Sequence, residues 1–178
     1  WDEDLQPKAA EKIALALHAK YCTEISPKQK YVGVEVTCER LEITDLGIAL
    51  TGTTDRIRQL PDGRYGISDL KTGARAVGSD GRASTTGHAA QLGVYELLGE
   101  QAIGEIISAP AQIIGLQTAK TTQKVGTGEI ENAKAALIGD EESPGLLEHA
   151  ANVIHSGMFY GNPKSMLCSA KYCPRHAT

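Results

Sequence analysis

The segment at residues 66–73, which reads GISDLKTG, has an acid and a base where a buried strand would carry Val or Ile. Asp69 and Lys71 are separated by one residue, so on a β-strand both side chains point to the same face. Carboxylate oxygens bind hard divalent cations, and an ammonium group stabilises negative charge that develops nearby. The pair is therefore a candidate for metal binding and charge stabilisation.

The hairpin before this segment predicts a second acid beside the first. If Pro61, Asp62 and Gly63 form a three-residue loop, Asp55 lies directly opposite Asp69 on the neighbouring strand. Facing Cβ atoms in an antiparallel pair are about 4.5–5.5 Å apart, and like charges there destabilise the sheet. A divalent cation between the two carboxylates is the simplest reason for such a pair.

The preceding hairpin predicts a third acid on the same face. A loop at Asp45, Leu46 and Gly47 would place Glu35 opposite Ile57, and a slip of one residue would break the grouping. The alternative is an exposed sheet face on which the charges are solvated and Lys71 only pairs with Asp69.

The elements that must position these residues follow an α-β-β-β-α-β order. Alternating β-branched residues and short turn signals predict an antiparallel meander of strands at 31–43, 48–60 and 64–71. Helical spacing predicts helices at 7–21, 88–102, 129–138 and 145–156, and an apolar run predicts a strand at 111–119. The Gly-, Ser- and Thr-rich residues 73–90 are predicted to form a mobile or disordered loop. The fold class is α/β, with a mixed central sheet flanked by helices.

Composition limits the alternatives. A chain of 178 residues is expected to form one domain, here 1–178, with the possibility that an N-terminal segment is missing. A net charge of −4 argues against coating of nucleic acid by bulk electrostatics, and no apolar run is long enough to span a membrane. Four cysteines are too few for a disulfide scaffold, which indicates reduced thiols and a cytoplasmic location.

Three motifs carry a family resemblance. The stretches LTGTTDRI, YGISDLKTG and QLGVYELL resemble the RecB-like, phage-type exonuclease branch of the PD-(D/E)XK nuclease superfamily over residues 31–118. The pattern is Gly-x-x-Asp, then Asp-x-Lys-Thr-Gly, then Gln-x-x-x-Tyr. It falls on Gly52, Asp55, Asp69, Lys71, Thr72, Gly73, Gln91 and Tyr95.

The resemblance implies a restriction-endonuclease-like core and a metal-dependent DNA nuclease. Asp55, Asp69 and the backbone carbonyl of Leu70 would bind Mg²⁺ or Mn²⁺. Lys71 would orient the attacking water, and Gln91 and Tyr95 would border the site from the following helix. Glu35 matches an acidic position of some phage members and carries less weight.

The implied partner is DNA, with Thr72, Arg75 and Arg82 as candidate contacts. An exonuclease of phage or bacterial recombination and repair is the first interpretation. The alternative is a catalytically inactive DNA-binding or assembly module that keeps the fold. The sequence leaves open exo- or endonuclease action, polarity, strand preference, and a homo-oligomer or recombination partner.

Some residues depart from the family pattern. Thr54 stands where the superfamily's name has proline, and a helix histidine upstream of the sheet is matched only by His18, which is alternatively a packed helix residue. Cys168, Cys173 and His176 are close in sequence, but their spacing favours free thiols over a zinc site, and no iron–sulfur cluster is expected.

Overall fold

A five-stranded mixed sheet organises the chain in a computed structural model that describes residues 6–119, 121–140, 142–159, 165, 169 and 172. In chain order the strands are β1 (Tyr31–Ile43), β2 (Ile48–Gln59), β3 (Tyr65–Gly73), β4 (Ala111–Gln117) and β5 (Val125–Ile130). Their order in the sheet is the same as their order in the chain. The β3–β4 pair is parallel and the other three pairs are antiparallel.

Helices lie on both faces of this sheet. They are α1 (Pro7–Lys20), α2 (Ala89–Ile103), α3 (Ala135–Ile138) and α4 (Leu146–Ser156), and a π-helical turn at Tyr21–Ile25 follows α1. Pro7 begins α1, where its missing N–H costs nothing, and α2 ends at Gly104 in the left-handed conformation, with φ 68°. Helix α2 makes the crossover between the parallel strands β3 and β4, as such a connection requires.

The core between α2 and the sheet is aliphatic. Ile57, Ile67, Leu92 and Ile113 are fully buried there. Gly99 of α2 allows the helix to approach closely, because a Cβ on it would lie 2.8 Å from Ile107 Cδ1. Within the described ranges, no helix is long and apolar enough to cross a membrane.

The predicted register of the β2–β3 hairpin is confirmed. Ile57 pairs with Ile67 and Arg56 with Ser68, and the N–H of Leu60 donates to the carbonyl of Arg64 at 2.8 Å. The predicted β1–β2 register is wrong. The connection is longer than expected, since a 3-10 turn at Thr44–Leu46 is followed by Gly47 with φ 60°.

Consequently Gly33, and not Glu35, pairs with Ile57, and a further irregularity lies between Cys38 and Leu41. Bulges of this kind are set by local backbone conformation, which alternation of residue types does not reveal.

Two predicted segments are corrected. The helix predicted at 129–138 is the end of β5, a turn and the short α3. Strand β5 escapes the sequence pattern because Gly126 and Gly128 have low strand propensity. The loop predicted as mobile or disordered instead folds against the sheet, as described below. Cys168, Cys173 and His176 lie outside the described residues.

Candidate active site

The strands β2 and β3 separate at the position of the two predicted acids. Their ladder ends at the pair Arg56 and Ser68, and the same register continued by one residue sets Asp55 opposite Asp69. The N–H of Leu70 leaves the ladder and donates to Oδ2 of Asp55 at 3.1 Å. The side chain of Asp55 therefore replaces a backbone acceptor and is held at the point where the strands part.

Asp69 is the buried acid of the pair, with 2% of its surface exposed. The ammonium nitrogen of Lys71 is 2.8 Å from its Oδ2. This contact lacks hydrogen-bond alignment, and Oδ2 accepts no hydrogen bond from the described residues. The charge of Lys71 balances that of Asp69, while the lone pairs of Oδ2 stay without a donor. Carboxylate lone pairs of this kind can coordinate a hard cation.

Lys71 is held from two sides. Besides its contact with Asp69, its ammonium group donates to Oε1 of Gln91 at 2.9 Å. The amide nitrogen of Gln91 donates to the hydroxyl of Tyr95 at 2.9 Å, one helical turn further along α2. Because Gln91 accepts from Lys71 and donates to Tyr95, its amide can point only one way.

Glu35 stands apart from this arrangement. It has φ 50°, a strained value for a residue other than Gly, and its side chain is exposed. Among the described residues it has no hydrogen-bond or ion-pair partner. The expectation that Glu35 faces Ile57 is wrong because of the β1–β2 register, and its part in a site stays a prediction.

The donors available to a metal are few. Within the described ranges, no group of three or more His, Cys, Asp and Glu side chains is placed to hold an ion. Two carboxylates remain, those of Asp55 and Asp69, and the carbonyl of Leu70 follows Asp69 directly along the chain. All three are hard oxygen donors, and Oδ2 of Asp69 accepts no hydrogen bond from the described residues, so they fit Mg²⁺ or Mn²⁺ completed by water and phosphate oxygens.

His18 lies on the other side of the sheet. It is on α1 and lines a groove together with Arg56 and Leu70, whose side chains point away from the face of Asp69. Its Nε2 is 3.7 Å from Sγ of Cys22. Thr72 lines the same groove, so it does not share the face of Lys71.

The segment 74–88 between β3 and α2, here called the strap, crosses β4 and β5. The N–H of Ala83 donates to the carbonyl of Thr127 at 3.3 Å, and that of Ser84 to the carbonyl of Ala76 at 3.0 Å. The strap fits because the strands beneath it carry glycine: a Cβ on Gly126 would lie 2.3 Å from the carbonyl oxygen of Gly81. The alternating glycines of the segment VGTGEI are the sequence signal for this close packing of the strap on β5.

The strap carries Arg75 and Arg82, both exposed and without an ion-pair partner in the described part of the chain. With Lys28 and Thr85 they line a groove of about 990 Å³ along β5. The acids Glu24, Asp80 and Glu129 also line it, and Asp80 and Glu129 already accept hydrogen bonds from the protein.

One ionisable residue of α2 was not singled out from the sequence. Glu96 is 3% exposed, and burial raises its pKa to about 7, although the backbone N–H of Lys134 donates to its Oε2 at 3.2 Å. It follows Tyr95 directly but faces α3 and not the acids. A single Glu among apolar residues on a helix gives no signal of its burial.

The mixed sheet, its flanking helices and the acids at the parting strands define a restriction-endonuclease-like fold, as the sequence predicts. The chain belongs to the PD-(D/E)XK nuclease superfamily, whose family model matches residues 1–178. No curated protein sequence matches the chain.

One solved structure supports the fold. A proposed exonuclease from Eubacterium rectale superposes with a TM-score of 0.53 at 17% identity, over 90% of this chain and 64% of that protein. The chain therefore spans less than two thirds of that relative's length. The structure of SSO0001 gives a TM-score of 0.45 at 16% identity, over 97% of this chain and 73% of that one.

Proposed function

We propose that the chain is a divalent-metal-dependent DNA nuclease of the RecB-like branch, acting as an exonuclease in phage or bacterial recombination and repair. The observation that carries this proposal is the pair Asp55 and Asp69 at the parting of β2 and β3, with Lys71 2.8 Å from Asp69. Residues 1–178 would form the nuclease domain, and the bacterial or phage-infected cytoplasm would be its place of action.

In this proposal Asp55, Asp69 and the carbonyl of Leu70 hold Mg²⁺ or Mn²⁺. When bound, such an ion lowers the pKa of its water and neutralises charge on the scissile phosphate. Asp55 is kept in position by the N–H of Leu70, and the buried Asp69 excludes bulk water from one side of the site.

Lys71 supplies a fixed positive charge beside the phosphate. Gln91 holds its ammonium group from α2 and is itself fixed by Tyr95, so little reorganisation is needed when negative charge grows on the phosphate. Loss of one such preorganised group costs on the order of 10²–10³ in rate. Arg75 and Arg82 on the strap would hold phosphates of the DNA, which agrees with a binding surface that is local in a chain of net charge −4.

The test is degradation of end-labelled linear DNA and of covalently closed circular DNA, each with Mn²⁺ or with EDTA. Metal-dependent loss of the linear DNA alone is expected. Lys71→Ala should abolish it. Lys134→Ala should not, because that lysine pairs with Glu100 far from the acids. Cleavage of the circular DNA would instead identify an endonuclease, and cleavage that survives Lys71→Ala would contradict the proposed site.

A catalytically inactive DNA-binding or assembly module is the second candidate. It is favoured by the finding that only two acids meet within the described residues. Calorimetric titration with Mn²⁺ separates the two candidates. A nuclease should take up the ion, and Asp55→Asn should weaken the uptake while the exposed control Asp45→Asn leaves it unchanged. Absence of uptake by the unmodified chain would favour the inactive module.

A further inference from the structure

A second cavity lies behind the strands that carry the acids. It is a groove of about 900 Å³ between α1 and the outer face of the sheet, here called the α1 groove. Its walls are mainly aliphatic: Ile13 and Leu17 of α1 stand against Leu70 and Leu116 of the sheet. This volume lies within the roughly 300–1,000 Å³ typical of small-molecule sites, which are mostly apolar with a few polar groups.

Among the polar residues that line the α1 groove, which include His18, Tyr21, Thr72 and Thr118, Arg56 carries a permanent charge. Its guanidinium lies 5.7 Å from the ring centroid of Tyr31, and its Nη1 is buried without a hydrogen-bond partner in the described residues. The side chain of Arg56 donates no hydrogen bond to these residues and forms no ion pair with them. A guanidinium has five N–H donors, so this is an unusual state for a half-buried side chain.

Arg58, two residues along the same face, provides the comparison. Its Nη2 donates to the carbonyl of Pro110 at 2.8 Å and to Oε1 of Glu129 at 3.1 Å. The sheet therefore supplies a carboxylate to one outer-face arginine of β2 and leaves the other without an acceptor. The difference is specific to the α1 groove, since Arg56 lines it and Arg58 does not.

The neighbouring tyrosines do not supply the missing charge. The hydroxyl of Tyr31 is 3.1 Å from that of Tyr21, and burial, followed by this hydrogen bond, raises the pKa of Tyr31 well above its ordinary value. Tyr31 is therefore neutral at physiological pH. It offers Arg56 a ring face, which attracts a cation, but no counter-ion.

We propose that the α1 groove binds a small amphipathic anion, whose carboxylate or phosphate pairs with Arg56 and whose apolar body lies along Ile13, Leu17, Leu70 and Leu116. The guanidinium matches both anions through paired N–H donors. The body is an acyl chain, because aliphatic walls match its apolar surface, whereas a nucleoside carries hydroxyl and imide groups. This site is separate from the proposed nuclease site and does not depend on it.

The α1 groove lies directly behind the strand residues of the proposed active site, so a ligand bound there could affect them. Arg56, Leu70 and Thr72 on the groove side alternate along β2 and β3 with Asp55, Asp69 and Lys71 on the other face. A ligand behind these strands would therefore touch the residues next to Asp55, Asp69 and Lys71.

The test is calorimetric titration of the full chain with decanoate and with thymidine monophosphate. Decanol, which lacks the charge, and inorganic phosphate, which lacks the apolar body, serve as matched controls. Saturable binding of decanoate, tighter than that of thymidine monophosphate, supports the proposal. Absence of decanoate binding, tighter binding of thymidine monophosphate, or equal binding of decanol and decanoate would overturn it.

Two variants locate the binding. Arg56→Gln should weaken it about 10-fold or more, the usual effect of losing a charge-assisted pair, whereas Arg40→Gln removes an exposed arginine paired with Glu42 and should change nothing. Ala14→Trp narrows the groove from α1 with Arg56 intact and should also weaken binding, so the test survives if Arg56→Gln does not fold. Unchanged affinity in a folded Arg56→Gln or Ala14→Trp variant would exclude the α1 groove.

Discussion

At the scale of single residues, the most informative contact is the one that Gln91 makes with Lys71. Lysine has a long flexible side chain, and ordering it costs about 1.5–2 kcal/mol of side-chain entropy. The hydrogen bond that Gln91 accepts from the ammonium group of Lys71, at 2.9 Å, offsets part of this entropy loss. Tyr95 in turn accepts from the amide of Gln91 and fixes its orientation. The pair on α2 is thus a positioning device for a group on β3.

We predict that Gln91→Ala lowers kcat about 10-fold with little change in KM, because the ammonium group of Lys71 loses its orientation and not its charge. Tyr95→Phe should have a smaller effect of the same kind. The two changes should be less than additive, since Tyr95 acts through Gln91. Steady-state kinetics of the two single variants and of the double variant check this.

Gln101→Ala is the matched control for Gln91→Ala. Gln101 is on the same helix and is exposed, and its amide donates to the carbonyl of Arg40 at 3.5 Å. Its replacement should leave kcat unchanged. Fully additive effects of Gln91→Ala and Tyr95→Phe would contradict the proposed chain of contacts.

Glu96 gives a pH dependence of stability. Burial raises its folded pKa to about 7 from an ordinary value of 4.5, so the folded state holds a proton that the unfolded state releases. Stability should therefore fall as pH rises from about 4.5 to 7, by roughly 3 kcal/mol from this residue. Two neighbouring charges also affect the pKa of Glu96: Lys134 lowers it and Glu100 raises it.

Glu96→Gln should remove this fall. The amide oxygen can still accept from the N–H of Lys134, and no charge is buried at neutral pH. The free energy of unfolding, measured with urea from pH 4.5 to 7.5, should decline less in Glu96→Gln than in the unmodified chain. Exposed Glu105 provides the control Glu105→Gln. Parallel curves for Glu96→Gln and the unmodified chain would mean that Glu96 is ionised in the folded state.

At the scale of elements, the strap shows how glycines in one element order another. Gly126 and Gly128 of β5 leave room for the backbone of Gly81 and Ala83, and Gly115 of β4 does the same for Ala76. The strap begins after Lys71 and ends before Gln91, so its seat on the sheet also sets the path from β3 to α2.

We predict that Gly126→Ala displaces the strap. The new Cβ would lie 2.3 Å from the carbonyl oxygen of Gly81, which is backbone and cannot rotate away. Hydrogen exchange should accelerate most at the amides of Ala83 and Ser84, which donate to Thr127 and Ala76. Gly52→Ala is the control because only the flexible Leu98 Cδ1 is near, at 3.3 Å. Equal protection of these amides in Gly126→Ala would show that the strap does not rest on β5.

The elements also show where sequence reasoning succeeds. The β2–β3 register follows from one tight turn, because Pro61, Asp62 and Gly63 allow few other geometries. The β1–β2 register fails because Gly47 extends a 3-10 turn and an irregularity between Cys38 and Leu41 shifts the pairing by a further residue. Strand β5 and the seating of the strap depend on contacts between distant segments, which local propensity does not encode.

In the candidate site, too, the sequence predicts the features that local patterns determine and misses those that depend on distant contacts. The sequence motifs name the acids, Lys71 and the two α2 residues that the structure places together. Strand alternation alone turns Thr72 away from the face of Lys71. The motifs do not reveal that Arg56 lies behind the acids without an acceptor, because this depends on the helix that covers the outer face.

At the scale of the whole molecule, a net charge of −4 must be reconciled with a polyanionic substrate. Two acids near the strap already have partners in the protein: Asp80 accepts from the N–H of Arg82, and Glu129 forms an ion pair with Arg58. Arg75 and Arg82 are unpaired among the described side chains. Binding to DNA should therefore be local and strongly salt-dependent.

We predict that Arg75→Ala and Arg82→Ala each weaken DNA binding at low salt and reduce the slope of log affinity against log salt. The slope should fall by about 0.9 for each phosphate that the variant no longer neutralises on double-stranded DNA, and by about 0.7 on single strands. Arg64→Ala is the control, since Arg64 is also exposed but pairs with Asp62 at the β2–β3 turn, at 2.8 Å.

Fluorescence anisotropy over a salt series measures the slopes, with EDTA present so that no DNA is cleaved. Equal slopes for Arg75→Ala, Arg82→Ala and Arg64→Ala would place the DNA away from the strap. A reduced slope in Arg75→Ala and Arg82→Ala alone would mean that this acidic chain binds DNA through the strap, the segment that joins β3 to α2. The glycines beneath the strap, Gly115, Gly126 and Gly128, would then contribute to DNA binding as well as to folding.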